Sequence, residues 1–197
     1  MKEIEIEKRM AQNFFILDNI ISKEQNFKIY NQLVNTPSWH LSSFSDTKNN
    51  FESNVAGFPG FTVEDNDVSS HHYYSGYFHA LIEFIKTKFQ QEFNFSLPRE
   101  IRRIRLGAKN SKSETVFHTD NNDPLDWSIL GFLTPVWKLE DGGEVRIEQE
   151  KINYKPGRFI LFKSHLLHNG GYIKNNNLNY WRISLNIVLC EKTSKKI

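Results

Sequence analysis

The hydrophobic and polar positions in the first half of the chain predict one short strand and two helices. Residues 13–17 form an apolar run, NFFIL, of strand length. Ser22 and Gln25 have the spacing of a capping box, and apolar residues recur at helical intervals from there to Pro37, which predicts a helix of about three turns. A second helix is expected after residues 69–70, where one apolar stripe has three- and four-residue spacing: Tyr74, Tyr77, Phe78, Leu81, Ile82, Ile85, Phe89 and Phe93.

Between the two helices, residues 39–70 have neither a helical nor a strand period. Polar residues and glycine are interleaved there with aromatic residues, namely Trp39, Phe44, Phe51, Phe58 and Phe61. A long irregular segment in a compact domain is uncommon unless it is a lid or a binding loop, which makes a substrate lid one interpretation. The other interpretation is that each aromatic side chain packs the loop onto the core.

After Pro98 the pattern changes to short strands separated by turns. Strands are predicted over residues 101–106, 116–120, 127–134, 144–149, 158–163 and 181–190. Pro156 and Gly157 lie between two of them and suit a type II turn, because proline sets the first dihedral angle and glycine accepts a positive φ. Many short strands with evenly spaced turns predict a mainly β fold with flanking helices, as a sandwich, jelly roll or small barrel.

Length and composition narrow the class of protein. The 197 residues are most simply one domain, with a helical part at about 1–97 and a β core at about 98–190. A net charge of +2 provides no electrostatic case for nucleic acid or an anionic membrane as a partner. The single cysteine excludes an intramolecular disulfide, and no apolar run has the character of a signal peptide or a membrane span. We therefore expect a cytoplasmic protein.

Candidate chemistry lies in the predicted strand at 116–120. Side chains two positions apart share one face of a strand, so His118 and Asp120 point the same way. A second histidine from a distant strand would complete a set of two imidazoles and one carboxylate, which binds non-haem Fe(II) and leaves positions open. Asp123 and Asp126 follow closely, but Asp123 precedes a proline, and we assign both to a loop.

Two further strands carry rows of polar side chains. In the last strand, Arg182, Ser184 and Asn186 alternate with apolar residues. This row either faces water, as is common in antiparallel sheets, or faces inward and binds an anion, because a guanidinium has a donor fork that suits a carboxylate. Arg103 and Arg105 share one face of an earlier strand. We expect that face to be solvated, with a contact to substrate or cosubstrate as the alternative.

Five motifs resemble those of the 2-oxoglutarate- and Fe(II)-dependent dioxygenases. They are HTD at 118–120, DGGE at 141–144, KPGRFILF at 155–162, SHLLHNGG at 164–171 and WRISLNIVL at 181–189. The branch that looks closest is the prolyl-hydroxylase-like group of compact microbial and viral enzymes. The resemblance is strong in the C-terminal half, and upstream it extends to ILDNIISKEQNFKIY, which looks like the family's opening strand and helix.

The resemblance implies a double-stranded β-helix, which is a jelly roll of the cupin-like kind, with Fe(II) at one open end. His118 and Asp120 match the first two iron ligands, and His168 matches the third. His165 is the alternative third ligand. His168 is preferred because it follows the buried strand RFILF and precedes Asn-Gly-Gly, where the family has its ligand.

The resemblance also implies 2-oxoglutarate as cosubstrate and O2 as oxidant. Arg182, assisted by Ser184, matches the residues that bind the distal carboxylate of 2-oxoglutarate. The implied reaction is hydroxylation of an unactivated C–H bond in a small-molecule or peptidyl substrate, with release of succinate and CO2. Desaturation and cyclisation are alternative outcomes of the same chemistry.

Two other functions are compatible with a fold of this kind. A cupin-type metal enzyme without redox chemistry, such as an isomerase, usually takes a His-x-His pair and a glutamate from its first motif. Here the second member is Asp120, and Arg182 would have no role. A non-catalytic binding module is the other alternative, and it would not need an intact set of His118, Asp120 and His168.

Overall fold

The computed structural model describes residues 5–9, 13–35, 40–41, 61–64, 75–111, 116–175 and 181–191. Two helices, α1 and α2, and eleven strands, β1 to β11, lie within these residues. In chain order they are β1 Glu5–Arg9, β2 Phe14–Asp18, α1 Lys23–Val34, β3 His40–Leu41, β4 Phe61–Glu64, α2 Ser75–Phe93, β5 Glu100–Lys109, β6 Trp127–Phe132, β7 Val145–Ile147, β8 Glu150–Ile152, β9 Phe159–Lys163, β10 His168–Gly170 and β11 Arg182–Cys190.

The strands form two antiparallel sheets. The larger sheet has the order β1-β2-β9-β6-β11-β5-β4-β3, and the smaller has the order β10-β7-β8. Strands that are distant in sequence are neighbours in the larger sheet, where β11 lies between β5 and β6. This is the mainly β architecture with accompanying helices that the spacing of strands and turns predicts.

The helices follow the sequence pattern closely. At the start of α1, the Ser22 hydroxyl accepts a hydrogen bond from the Gln25 amide (3.1 Å), and the Gln25 side chain accepts one from the Ser22 amide (2.8 Å). The predicted capping box is therefore confirmed. The cap expected for the second helix at residues 69–70 lies outside the described residues, as does most of the segment 39–70 proposed as a lid. No helix in the described part of the chain is long and apolar enough to cross a membrane.

The strand predicted over residues 116–120 is wrong, because this stretch makes only one β-bridge, between His118 and His168. The two residues exchange both backbone hydrogen bonds, each of 2.9 Å. The ladder does not continue because the amide of Asp120 donates instead to the carbonyl of Ser164 (3.0 Å), which lies in the turn before β10. His118 is nevertheless fixed directly beside β10.

The strand predicted over residues 144–149 also differs, because β7 ends at Ile147. Glu148 has a φ of 52°, and the turn that it begins reverses the chain into β8, which the sequence pattern does not indicate. By contrast, Gly157 has the positive φ, 75°, that the predicted Pro-Gly turn requires, and the Arg158 amide closes that turn onto the Lys155 carbonyl (3.0 Å).

Two hydrophobic clusters lie on the two faces of the larger sheet. In the first, buried residues of α2, including Ile82, Ile85 and Phe89, pack against the larger sheet. In the second, side chains of the larger sheet such as Phe132 and Phe162 meet those of the smaller sheet, such as Ile147. The alternation of β2 contributes to both clusters, since its odd and even positions face opposite sides.

A partly buried ion cluster joins the end of β2 to the turn before β9. The Asp18 carboxylate accepts hydrogen bonds from Nε and Nη2 of Arg158, both of 2.8 Å, and from Nζ of Lys155 (2.7 Å). Burial alone would raise the pKa of Asp18, but the hydrogen bonds from Arg158 and Lys155 outweigh it and hold that pKa below its usual value.

Candidate metal centre

The fold brings His118, Asp120 and His168 together. One ligand atom from each side chain lies within 4.8 Å of the others. The β-bridge to β10 positions His118, and the bond from the Asp120 amide to Ser164 positions the carboxylate. His168 is the first residue of β10 and is 4% exposed. Three groups from two distant parts of the chain thus face one point.

Both imidazoles present the same nitrogen to that point. Nδ1 of His118 is 3.0 Å from the carbonyl oxygen of Val116, and Nδ1 of His168 is 2.9 Å from that of Leu166. A carbonyl oxygen only accepts, so each Nδ1–H donates, which leaves Nε2 with its lone pair. A backbone hydrogen bond of this kind fixes the tautomer and the ring orientation of a metal-binding histidine.

The charge states in the cluster favour a cation. Burial, followed by the neighbouring His168, lowers the pKa of His118, which keeps its imidazole neutral. Burial alone would raise the pKa of Asp120, but His168 and Arg103 outweigh it and the pKa lies below its usual value. A neutral imidazole and an ionised carboxylate are the forms that bind a metal. The residues present therefore fit a divalent ion with nitrogen and oxygen ligands.

Hydrogen bonds hold the Asp120 carboxylate in one orientation. Its Oδ1 accepts from Nη2 of Arg103 (2.8 Å). Its Oδ2 accepts from the Ser128 hydroxyl (2.6 Å) and from Nδ2 of Asn186 (2.9 Å). The same Arg103 nitrogen also donates to Oδ1 of Asn186 (2.9 Å), which closes the network. Partners of this kind orient a metal-binding carboxylate and commonly affect metal affinity.

The expectation that the face of Arg103 is solvated is therefore wrong for this residue. Its side chain is 26% exposed and makes an ion pair with the 3% exposed Asp120 side chain. Ile104 packs into the hydrophobic core beneath one face of β5. Arg103 therefore lies on the opposite face, where it contacts Asp120. Period-two alternation identifies the two faces, but it does not tell which of them meets a second sheet.

The polar row of β11 also faces inward, so the solvated alternative is wrong. Arg182 is 4% exposed, and its Nη1 donates to the Gly143 carbonyl (2.9 Å). Its guanidinium lies against Gly170, where an added Cβ would be 2.6 Å from Nη2. Nε of Arg182 is buried without a hydrogen-bond partner among the described residues. A buried guanidinium with an unused donor is suited to an anion.

Other candidate ligands lie apart from the cluster. His165 is exposed in the turn before β10 and is not part of the cluster found among the described residues. Asp123 accepts a hydrogen bond from the Leu125 amide (2.9 Å), as expected of a loop residue. Asp126 is buried and forms an ion pair with Arg102 at 3.2 Å, so it stabilises the loop.

The sequence analysis misses Ser128, whose hydroxyl contacts both Asp120 and the Ser164 hydroxyl (2.9 Å). A single serine in an apolar strand has no sequence signal that separates it from ordinary packing. Lys109 continues the row of Arg103 and Arg105 at an even spacing along β5, and Gly107 lies between Arg105 and Lys109. That row is a signal that the pattern contains.

Comparisons with known proteins place this geometry on a known fold. Neither a family model nor a curated protein sequence matches the chain. Solved structures do match. A Pseudomonas putida prolyl-4-hydroxylase is 10% identical with a TM-score of 0.65, over 91% of this chain and 93% of that one. A Trichoplax adhaerens prolyl hydroxylase, in complex with a peptide of hypoxia-inducible factor, is 14% identical with a TM-score of 0.61, over 89% and 82%.

An α-ketoglutarate-dependent carbocyclase from nogalamycin biosynthesis is also similar, at 11% identity and a TM-score of 0.60, over 89% of this chain and 78% of that one. Identities this low establish the fold. Because the matches span nearly the whole chain, the likeness extends beyond the C-terminal motifs. The chain therefore has the double-stranded β-helix fold of the 2-oxoglutarate- and Fe(II)-dependent oxygenases, the fold that its motifs predict.

Proposed function

We propose that this protein is an oxygenase dependent on Fe(II) and 2-oxoglutarate, and that it hydroxylates an unactivated C–H bond of a small-molecule or peptidyl substrate. The observation that carries the proposal is the cluster of two imidazoles and one ionised carboxylate, on the fold of these oxygenases. Two histidines and one carboxylate on one face of a metal are typical of non-haem Fe(II) oxygenases.

Nε2 of His118, Nε2 of His168 and a carboxylate oxygen of Asp120 would hold the iron. When bound with 2-oxoglutarate and O2, the iron supplies oxidative chemistry that couples decarboxylation of the cosubstrate to oxidation of a C–H bond. The protein contributes position. Arg103, Ser128 and Asn186 hold the Asp120 carboxylate in one orientation beside the two imidazoles, so the side chains that would hold the iron keep their arrangement.

Arg182, assisted by Ser184, would bind the distal carboxylate of 2-oxoglutarate. The strand alternation places both side chains on the inward face of β11. Ser184 is two positions and Arg182 four positions from Asn186, which contacts Asp120. A buried guanidinium compensates the cost of removing a carboxylate from water, and no group among the described residues accepts a hydrogen bond from its Nε–H.

The class of substrate is proposed from the similar structures. One of them binds a peptide, and another carries out a cyclisation on a small molecule. Hydroxylation of a peptidyl or small-molecule substrate is the first expectation, and ring closure is a further outcome of the same chemistry. In the cluster found among the described residues, Asp120 contributes the one carboxylate, so its role can be tested by one substitution.

The test is 2-oxoglutarate-dependent succinate formation by the Fe(II)-loaded protein, with pooled peptides and pooled metabolites as substrates. Mass spectrometry should detect a product that is heavier by about 16 Da, the mark of hydroxylation. Asp120→Ala should abolish both signals. Asp123→Ala, a nearby loop carboxylate outside the cluster, is the matched control and should retain them.

Two outcomes would support the alternative functions. Metal binding at the cluster, without an Fe(II)- and 2-oxoglutarate-dependent absorption band under anaerobic conditions, would indicate a cupin-type enzyme without redox chemistry. Failure to bind any divalent metal would indicate a binding module that keeps only the fold.

A further inference from the structure

We propose that Lys109 is a second binding residue for the distal carboxylate of 2-oxoglutarate, acting from β5 opposite Arg182 on β11. This inference rests on the proposed function. It extends the anion site from one strand to two, and it assigns a role to a lysine that neither the motifs nor the metal cluster explains.

The strand register places the two cations face to face. In the antiparallel pair of β5 and β11, Lys109 is opposite Arg182, and Gly107 is opposite Ser184. Side chains of directly opposite residues point to the same side of the sheet. The polar row of β11 is inward, so Lys109 shares the inward side with Arg182. An anion bound on this side of the sheet could therefore contact both cations.

Lys109 interacts electrostatically with Arg182 and with His118. Burial, followed by the charges of Arg182 on β11 and Arg105 on its own strand, lowers the pKa of Lys109 to about 8. Lys109 in turn contributes to the lowered pKa of His118. A bound carboxylate would act in the opposite direction and raise this pKa.

Small residues separate the two cations from the metal cluster. We call the space above Gly107 and Ser184 the slot. A Cβ added at Gly107 would meet one atom within 4 Å among the described residues, Oγ of Ser184 at 3.6 Å. The next opposed pair on this side contains Asn186, which contacts Asp120. Asn186 and Arg182 are four residues apart on β11, so an anion bound at the two cations would lie on the same side of the sheet as the metal cluster.

The experiment compares Lys109→Met with the parent in anaerobic titrations of 2-oxoglutarate into Fe(II)-loaded protein, followed by absorption and by calorimetry. Methionine keeps most of the side-chain volume and removes the charge. The affinity for 2-oxoglutarate should fall by about 10- to 100-fold, the value of one hydrogen bond to a charged group. Lys138→Met, at a lysine whose side chain is 74% exposed, is the matched control and should bind like the parent.

A truncated ligand separates a specific effect from a general one. 2-Oxobutyrate keeps the 2-oxo acid of 2-oxoglutarate and lacks its distal carboxylate, so Lys109→Met should bind it as well as the parent does. An equal loss for both ligands, or no loss for 2-oxoglutarate, would overturn the assignment. A rise only in the KM of the oxidised substrate would also overturn it, and would assign Lys109 to an anionic group of that substrate.

The folded state of the variant can be checked independently. The thermal midpoint of the ligand-free variant reports whether it folds, and 2-oxoglutarate should raise that midpoint less in Lys109→Met than in the parent. A parent that binds no 2-oxoglutarate at all would refute the proposed function. A parent that binds it together with an unaffected variant would refute only the role of Lys109.

Discussion

Substitution of Arg182 tests most directly whether this residue binds the distal carboxylate of 2-oxoglutarate. Arg182 is 4% exposed, and its Nε has no hydrogen-bond partner within the described part of the chain, so a carboxylate bound there would be almost fully removed from water. Loss of one partner from a buried, hydrogen-bonded charge pair costs about 2–5 kcal/mol, which corresponds to roughly 30- to 5,000-fold in affinity. We therefore expect Arg182→Ala to weaken 2-oxoglutarate binding by at least about 30-fold.

Two milder variants grade this effect. Arg182→Lys keeps the charge and loses the planar fork, so it should weaken binding less than Arg182→Ala. Ser184→Ala removes one hydrogen-bonding hydroxyl and should cost about 1 kcal/mol, or roughly fivefold. Gly170→Ala is a fourth test, because its Cβ would approach Nη2 of Arg182 to 2.6 Å and displace the guanidinium without changing any charge.

The assay is the anaerobic Fe(II) and 2-oxoglutarate titration, with the metal affinity measured separately. Metal affinity should stay nearly constant in the Arg182 and Ser184 variants, because neither residue contacts the cluster. Arg182 also donates to the Gly143 carbonyl (2.9 Å), so the thermal midpoint of each variant must be measured alongside. If a folded Arg182→Ala bound 2-oxoglutarate as tightly as the parent, the cosubstrate would be held elsewhere and the reasoning would fail.

Three further predictions concern other parts of the structure. Gly107→Leu should fill the slot and weaken 2-oxoglutarate binding with unchanged metal affinity, whereas Gly107→Ala should have little effect because its Cβ makes an ordinary contact; equal binding by both would contradict the slot. Burial, followed by the charges of Arg182 and Arg105, lowers the pKa of Lys109 to about 8, so above this pH the lysine must take up a proton when 2-oxoglutarate binds, and the affinity should fall. A pH profile that is the same in Lys109→Met would exclude this cause. Asp18→Asn should lower the free energy of unfolding by about 2 kcal/mol and abolish the part of the stability that the parent loses as pH falls through the lowered pKa of Asp18, which chemical denaturation at several pH values would measure.

Much of the fold follows from periodicity alone. The α1 cap, the apolar stripe of α2 and the longer strands β5, β6, β9 and β11 are local features, since each depends on residues that are neighbours in sequence. The short strands β8 and β10 are not predictable in this way, because three residues contain too little alternation to detect. Their pairing with β7 depends on the turn at Glu148 and on contacts between distant parts of the chain.

The candidate site, too, is predicted only in part from the sequence. The motifs indicate His118, Asp120 and His168, and the structure brings these three together, although their role as ligands stays a prediction. The residues around them were harder to identify. The sequence predicts a solvated face for Arg103, whereas the structure pairs this residue with Asp120. Alternation separates the two faces of a strand, but it does not show which of them a second sheet covers. Ser128 had no signal at all, since its partner Asp120 lies in a different segment.

The most direct test of the central claim is a crystal structure with Fe(II), or Mn(II) as a surrogate, introduced under anaerobic conditions together with 2-oxoglutarate. We predict one metal ion within about 2.0–2.3 Å of Nε2 of His118, Nε2 of His168 and a carboxylate oxygen of Asp120. The distal carboxylate of 2-oxoglutarate should lie against Arg182. A metal bound to His165 with His168 turned away, or no metal at this cluster, would contradict the account.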